Sequence, residues 1–196
     1  MTNFVDMAIA KAINAGLRKA MSEDSKVLVF GQDVAQLGGV FRVTEGIHAE
    51  FGNSRIFNSP IAESGIVGTA IGLAMRGYRP VAEIQFDGFI FPAFDQITTQ
   101  LAKMQNRSEG FHKMPVVIRV PFGGGIGAVE HHSESPEAYF AHTAGLRVVS
   151  PNRPFARMTQ FCFSNQSVAT GRRVRLTWTP LRRISTRPEL SEKATT

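Results

Sequence analysis

A chain of 196 residues with 43% hydrophobic content is long enough for one domain with a full core. A single cysteine, Cys162, excludes a disulfide framework and any cysteine-cluster metal site. The net charge of +6 points to no nucleic-acid partner, because residues 156–196 hold eight basic and two acidic side chains and the other 155 positions hold fourteen of each.

The opening, MTNFVDMAIAKAI, lacks the pattern of a secretory leader, and no uncharged apolar run approaches a membrane span, so a cytoplasmic location is expected. From Met7 to Met21 the apolar residues Met7, Ile9, Ala10, Ile13, Leu17 and Met21 fall at helical spacing with Lys11, Arg18 and Lys19 between them. The continuous apolar run Lys26–Gly31 reads as a buried parallel strand. A glycine loop, Gln36–Val43, leads to a short helix over Thr44–Phe51 and a second strand over Arg55–Asn58. Arg79–Phe86 is strand-like, Phe94–Met104 helical, and Pro115–Val120 and Leu146–Ser150 are further strands. This alternation predicts an α/β fold, a mostly parallel sheet flanked by helices.

Between the second strand and the third lies NSPIAESGIVGTAIGLAM, Asn58–Met75. Its one carboxylate, Glu63, enters a helix too apolar and glycine-rich to be expected on a surface. A buried carboxylate is costly unless something pairs with it, and such groups collect at functional sites. Near a helix N-terminus the macrodipole also favours negative charge, so the residue alone leaves both readings open. The loop FGGGIG, 122–127, lacks the third glycine of a dinucleotide fingerprint and the lysine of a P-loop. It is read as a lead into His131 and His132. Adjacent histidines in extended chain point apart, and no acid cluster accompanies them, so no metal site is expected.

Four segments carry a family resemblance: GQDVAQLGGVFRVTEG (31–46), residues 57–86, FIFPAFDQI (89–97) and residues 121–151. They resemble the pyrimidine-binding domain in the β subunit of the thiamine-diphosphate E1 component of 2-oxoacid dehydrogenase complexes. The likeness covers roughly residues 1–154 and implies the thiamine-diphosphate pyrimidine-binding fold. It implies that Glu63 hydrogen-bonds N1′ of the cofactor's aminopyrimidine, with Gln85 and Phe89 also in the cofactor pocket. His132 falls on the family histidine of proton transfer and acyl handover to lipoamide, a task suited to imidazole. Phe86, Phe91 and Phe94 are read as plain core.

The family's magnesium and diphosphate motif is absent from this sequence and belongs to the α subunit. The implied partners are therefore an E1 α subunit, in an α2β2 heterotetramer, and the lipoyl E2 acyltransferase. Nucleic acid and membrane are not among them. The run Ile90–Ile97 resembles branched-chain oxoacid enzymes more than pyruvate enzymes. The alternatives are a pyruvate dehydrogenase E1 β subunit and a non-catalytic binding module.

After residue 154 the pattern is lost, and the family's transketolase C-terminal domain is not found. Relatives are expected to continue with a segment like DDPVxFFEPKRRYW. One synonymous codon choice for Ala156–Thr170, followed by the first two bases of the Gly171 codon and read from its third base, encodes ADDPVLFFEPKRRYW. Residues 155–196 are accordingly expected to be a frameshifted, poorly ordered basic tail, leaving the chain truncated and inactive by itself.

Overall fold

In the computed structural model the described residues are 8–149 and 159–165, so the expected tail at 155–196 lies outside them except for that short piece. Helix α1 (Ile9–Glu23) precedes β1 (Val27–Gly31), α2 (Ile47–Phe51), β2 (Ile56–Asn58), α3 (Glu63–Met75) and β3 (Arg79–Glu83). Then come α4 (Ala102–Arg107), β4 (Met114–Phe122), α5 (Glu137–Ala141), β5 (Arg147–Val149) and β6 (Thr159–Asn165). The sheet order is β2-β1-β3-β4-β6-β5. Strands β2, β1, β3 and β4 are mutually parallel, with Val29 opposite Ile56 on one side and Val81 on the other.

All five residues of β1 are buried, as its unbroken apolar run requires of a strand covered on both faces. Alternation divides them between two cores. Val27 and Val29 pack with Ile56, Met21 of α1 and Ile47 of α2. Phe30 and Ala82 face the other way, against Ile66, Val67, Ala70, Ile71 and Ala74 of α3. Those five positions form one stripe of α3. The opposite face, with Gly65, Thr69, Gly72 and Met75, is open to solvent in this chain and carries no charge. The expectation of an all-round buried helix therefore holds for one face only.

Two regions differ from the sequence expectation. The third strand stops at Glu83, and Asp87–Ala93 winds into 3₁₀ turns before a π-helical stretch, Gln96–Leu101, that runs into α4. The hydroxyls of Thr98 and Thr99 donate back to the carbonyls of Phe94 and Asp95, both at 2.9 Å, which competes with regular α-helical bonding. Strand β6 pairs antiparallel with both β4 and β5. The nine residues between Val149 and Thr159 are too few for the helical crossover that a parallel return needs. No helix among the described residues is long and apolar enough to cross a membrane.

Candidate functional site

From β1 the chain moves to one side for β2, and β3 lies on the other side of β1. Such a switch point opens a crevice at the carboxyl ends of the strands, where open α/β sheets bind ligands. The residues singled out from sequence all lie beyond those ends: Glu63 after β2, Gln85 and Phe89 after β3, and His132 after β4.

The first two residues after β1 organise the crevice. Gln32, only 3% exposed, donates from Nε2 to Oε1 of Glu63 at 2.8 Å. Glu63 opens α3 and is 8% exposed, so its charge sits at the favourable end of the helix dipole and in a buried hydrogen bond. Asp33 has a left-handed backbone (φ 56°), and its Oδ2 accepts a 3.0 Å bond from Nε2 of Gln85. The carbonyl of Asp33 accepts from the amide of Gly39 at 2.8 Å, which ties the glycine loop to the same turn. One dipeptide thus anchors two site residues from two different strands.

Beyond Gln85 the site becomes aromatic. The His132 ring lies flat on Phe86 (3.9 Å between centroids, 13° between planes), and Phe89 meets it edge-on at 5.2 Å. Phe86 also meets Phe41 edge-on at 5.6 Å. Nδ1 of His132 is 2.9 Å from the carbonyl of His131. A carbonyl only accepts, so neutral His132 carries its proton on Nδ1 and presents the Nε2 lone pair.

The arrangement brings Phe89 and His132 together on Phe86, while Gln85 and Glu63 are tied to the neighbouring residues Asp33 and Gln32 rather than to that cluster by bonds of their own. Phe86 is corrected from plain core to the ring beneath the imidazole. Phe91 is 39% exposed beside Tyr139, and only Phe94 packs on the core as expected. His131 and His132 sit in a 3₁₀ turn, not an extended pair, with ring centroids 4.2 Å apart. Among the described residues no three His, Cys, Asp or Glu side chains are grouped to hold a metal ion.

Sequence reasoning missed Gln32, Asp33 and Asp87. A polar pair directly after a fully apolar strand was the available signal for the first two. Asp87 is 1% exposed, and its Oδ1 accepts from the Gly88 amide at 3.0 Å. Burial pushes its carboxyl above the ordinary value, helped by the charge of Glu134 and opposed by the amides of Gly88, Glu134 and Asp87 itself. With the folded value raised, the native state holds this proton more tightly than the unfolded chain. Stability is therefore lost as pH climbs from the unfolded value through the folded one. Asp87→Asn is expected to gain stability relative to the wild type as pH rises above the ordinary aspartate range, read by urea denaturation at a series of pH values. A gap that does not change with pH would contradict this.

Known proteins can be set beside this geometry. Residues 5–157 match the family described as transketolase, pyrimidine binding domain. The pyruvate dehydrogenase E1 component subunit beta of Leifsonia xyli subsp. xyli is 70% identical over 148 residues, 76% of this chain and 44% of that protein. The 3-methyl-2-oxobutanoate dehydrogenase subunit beta of Mycobacterium tuberculosis is 57% identical over 148 residues, 76% of this chain and 42% of that protein. A solved structure titled split gene transketolase, inactive beta4 tetramer, superposes with a TM-score of 0.55 at 22% identity, over 72% of this chain and 42% of that one. That likeness supports the fold alone. The chain spans less than half the length of these curated relatives. With a domain match over most of its length and a site at the sheet's switch point, the chain belongs to the transketolase pyrimidine-binding domain family, in the form similar to the E1 β subunits of 2-oxoacid dehydrogenases.

Proposed function

We propose that this chain forms the aminopyrimidine side of a thiamine-diphosphate site in a 2-oxoacid dehydrogenase E1 component. The observation that carries the reading is the buried Gln32–Glu63 bond at the switch point. Gln32 engages one oxygen of Glu63, and the other is left outside that bond. The carbonyl oxygen of Gln32 is itself buried with no hydrogen-bond partner. A pocket with a carboxylate, an orphaned amide oxygen and half-buried aromatic rings fits a flat heterocycle that both accepts and donates protons.

When bound, thiamine diphosphate supplies the nucleophilic carbon that adds to the oxoacid carbonyl. Glu63 would share a proton with a ring nitrogen of the bound cofactor, and its buried setting would keep that proton from water. Phe89 would supply an aromatic contact to the ring, and Gln85, held by Asp33, a polar one. His132 takes or gives a proton at Nε2 while Nδ1 stays bonded to the His131 carbonyl.

The diphosphate and magnesium are assigned to an E1 α subunit, and the acyl product to a lipoyl E2. The uncharged open face of α3 suits a permanent subunit contact, since obligate interfaces are apolar and small residues allow close approach. The substrate proposed is a 2-oxoacid, branched-chain on the resemblance of Ile90–Ile97, with pyruvate as the alternative because the Leifsonia relative bears that name. A cytoplasmic location goes with this reading.

The test is co-expression with an α subunit and a decarboxylation assay with thiamine diphosphate, offering pyruvate and 3-methyl-2-oxobutanoate in parallel. Turnover of either, dependent on both the cofactor and this chain, is expected. Cofactor-dependent assembly without turnover of any 2-oxoacid would favour the second reading, a non-catalytic binding module, which draws on the chain's partial span of its relatives. For residues 155–196 the proposal remains a shifted frame. Sequencing the gene is expected to return codons that permit ADDPVLFFEPKRRYW, and codons that forbid it end that reading.

A further inference from the structure

We propose that Gly88 is a positioning residue for His132: its bare backbone packs against the His131 carbonyl and leaves that oxygen where Nδ1 of His132 reaches it. The turn after β3 is built around this contact. Oδ1 of Asp87 accepts from the Gly88 amide at 3.0 Å, and the Phe89 amide donates to the Phe86 carbonyl at 3.1 Å, so Asp87 and Gly88 form the tip of a closed turn. A Cβ on Gly88 would stand 2.4 Å from the carbonyl oxygen of His131, 3.1 Å from its carbonyl carbon and 3.0 Å from its Cβ. The same oxygen lies 2.9 Å from Nδ1 of His132.

Backbone conformation is not what calls for glycine here. Gly88 lacks the positive φ of Gly38 and Gly39, so an alanine would fit its backbone. The requirement is for space alone, and main chain fills that space. A flexible side chain could swing away from a methyl group, but a carbonyl moves only with the turn that carries it. That turn is itself held: the His132 amide donates to the Val129 carbonyl at 3.0 Å, and the Ser133 amide to the Glu130 carbonyl at 2.9 Å.

The residues flanking the tip hold the imidazole. Phe86 lies under its face, and Phe89 meets it edge-on while stacking at 6.1 Å on His131. Stacking fixes the plane of a ring but does not choose between its two nitrogens. The His131 oxygen makes that choice, because a carbonyl can only accept. Displacing it lets the two neutral forms compete, and Nε2 then presents its lone pair only part of the time. Gly88 thus supplies what Phe86 and Phe89 cannot.

The test uses the full isotope-labelled chain, free of cofactor, at about pH 8.5, where an ordinary imidazole is neutral. In the native chain an Overhauser effect between the Gly88 α protons and the His131 β protons is expected, with the nitrogen shifts of a single Nδ1–H form at His132. In Gly88→Ala those shifts should move towards a tautomer mixture, while the amides of Val116, Ile118 and Val120 in β4 keep their native exchange. Gly68→Ala, where a Cβ meets nothing within 4 Å, should leave His132 unmoved. A folded Gly88→Ala chain with native His132 shifts overturns the proposal, and so does an equal response to Gly68→Ala. If Gly88→Ala fails to fold, the native chain decides: loss of either the Overhauser effect or the single Nδ1–H form overturns the proposal, and both together support it.

The catalytic consequence rests on the reading of His132 given above. In the α-complemented enzyme Gly88→Ala is expected to lower kcat about tenfold with KM and cofactor affinity close to native. The two failures are distinguishable. A native chain that does not bind thiamine diphosphate ends the functional reading and leaves the Gly88 contact standing, whereas an unmoved His132 tautomer ends only the positioning role.

Discussion

Replacing Glu63 by glutamine is expected to reduce thiamine-dependent decarboxylation in the α-complemented enzyme by about 10²–10⁴-fold, the usual range for loss of a positioned acid–base group. The fold should survive. A glutamine keeps the length and shape of the side chain, and its own carbonyl oxygen accepts the 2.8 Å bond from Nε2 of Gln32. What it lacks is a site for the shared proton. The loss should therefore appear in kcat, with assembly and melting temperature close to wild type. Glu63→Asp separates basicity from placement, because it keeps the acid and withdraws it by one methylene. Activity of Glu63→Gln within about threefold of wild type would remove Glu63 from the mechanism and, with it, the observation on which the functional reading stands.

The largest effect on stability is expected at Arg119, with no catalytic assay involved. Arg119 on β4 is paired in register with Glu83 on β3, and its Nη2 reaches Oε2 of Glu83. The two side chains are 3% and 5% exposed. Nε and Nη1 of Arg119 have no hydrogen-bond partner among the described residues. A buried pair this incompletely satisfied gains little over an apolar pair of the same volume, but breaking it leaves one charge in the interior. Arg119→Met alone should cost about 3–5 kcal/mol, measured by urea denaturation. The double change Glu83→Leu with Arg119→Met should recover most of that. Equal losses in the single and double variants would mean that the pair itself, not the orphaned carboxylate, supports the sheet.

The backbone of Glu83 also shapes the site. Gly31 ends β1 against Glu83, where a Cβ would meet the Glu83 carbonyl oxygen at 2.4 Å, so the chain can pass only as glycine before turning into Gln32 and Asp33. The positions of Gln32 and Asp33 thus depend on a strand-to-strand contact that no local pattern announces.

Much of the fold was legible because it rests on local pattern. The fully apolar β1, the helical spacing of α1 and the short connections each have one economical solution in a covered parallel sheet. The boundaries of β1, β2 and β5 lie within two residues of the expected ones. After β3 the helical expectation for Phe94–Met104 was met, but the strand was expected three residues too far, to Phe86, and no local pattern marked the 3₁₀ turns of Asp87–Ala93. Thr98 and Thr99, which bond back to the carbonyls of Phe94 and Asp95, lie within the π-helical stretch.

Glu63, Gln85, Phe89 and His132 were named from sequence, the last three only through a family resemblance. Their standing as one site came from topology. They are separated by up to 69 positions in the chain and meet only because parallel strands deliver their following residues to the same edge of the sheet. Gln32, Asp33 and Asp87 had no signature of their own, since a buried amide or acid is recognisable only by what it touches. Hydrophobic periodicity along the chain was enough for the α/β architecture. The bond that holds Glu63 and the stacking of His132 on Phe86 required distant segments to be packed together, because each joins side chains that follow different strands, whereas the tautomer of His132 is set by the carbonyl of its own neighbour, His131.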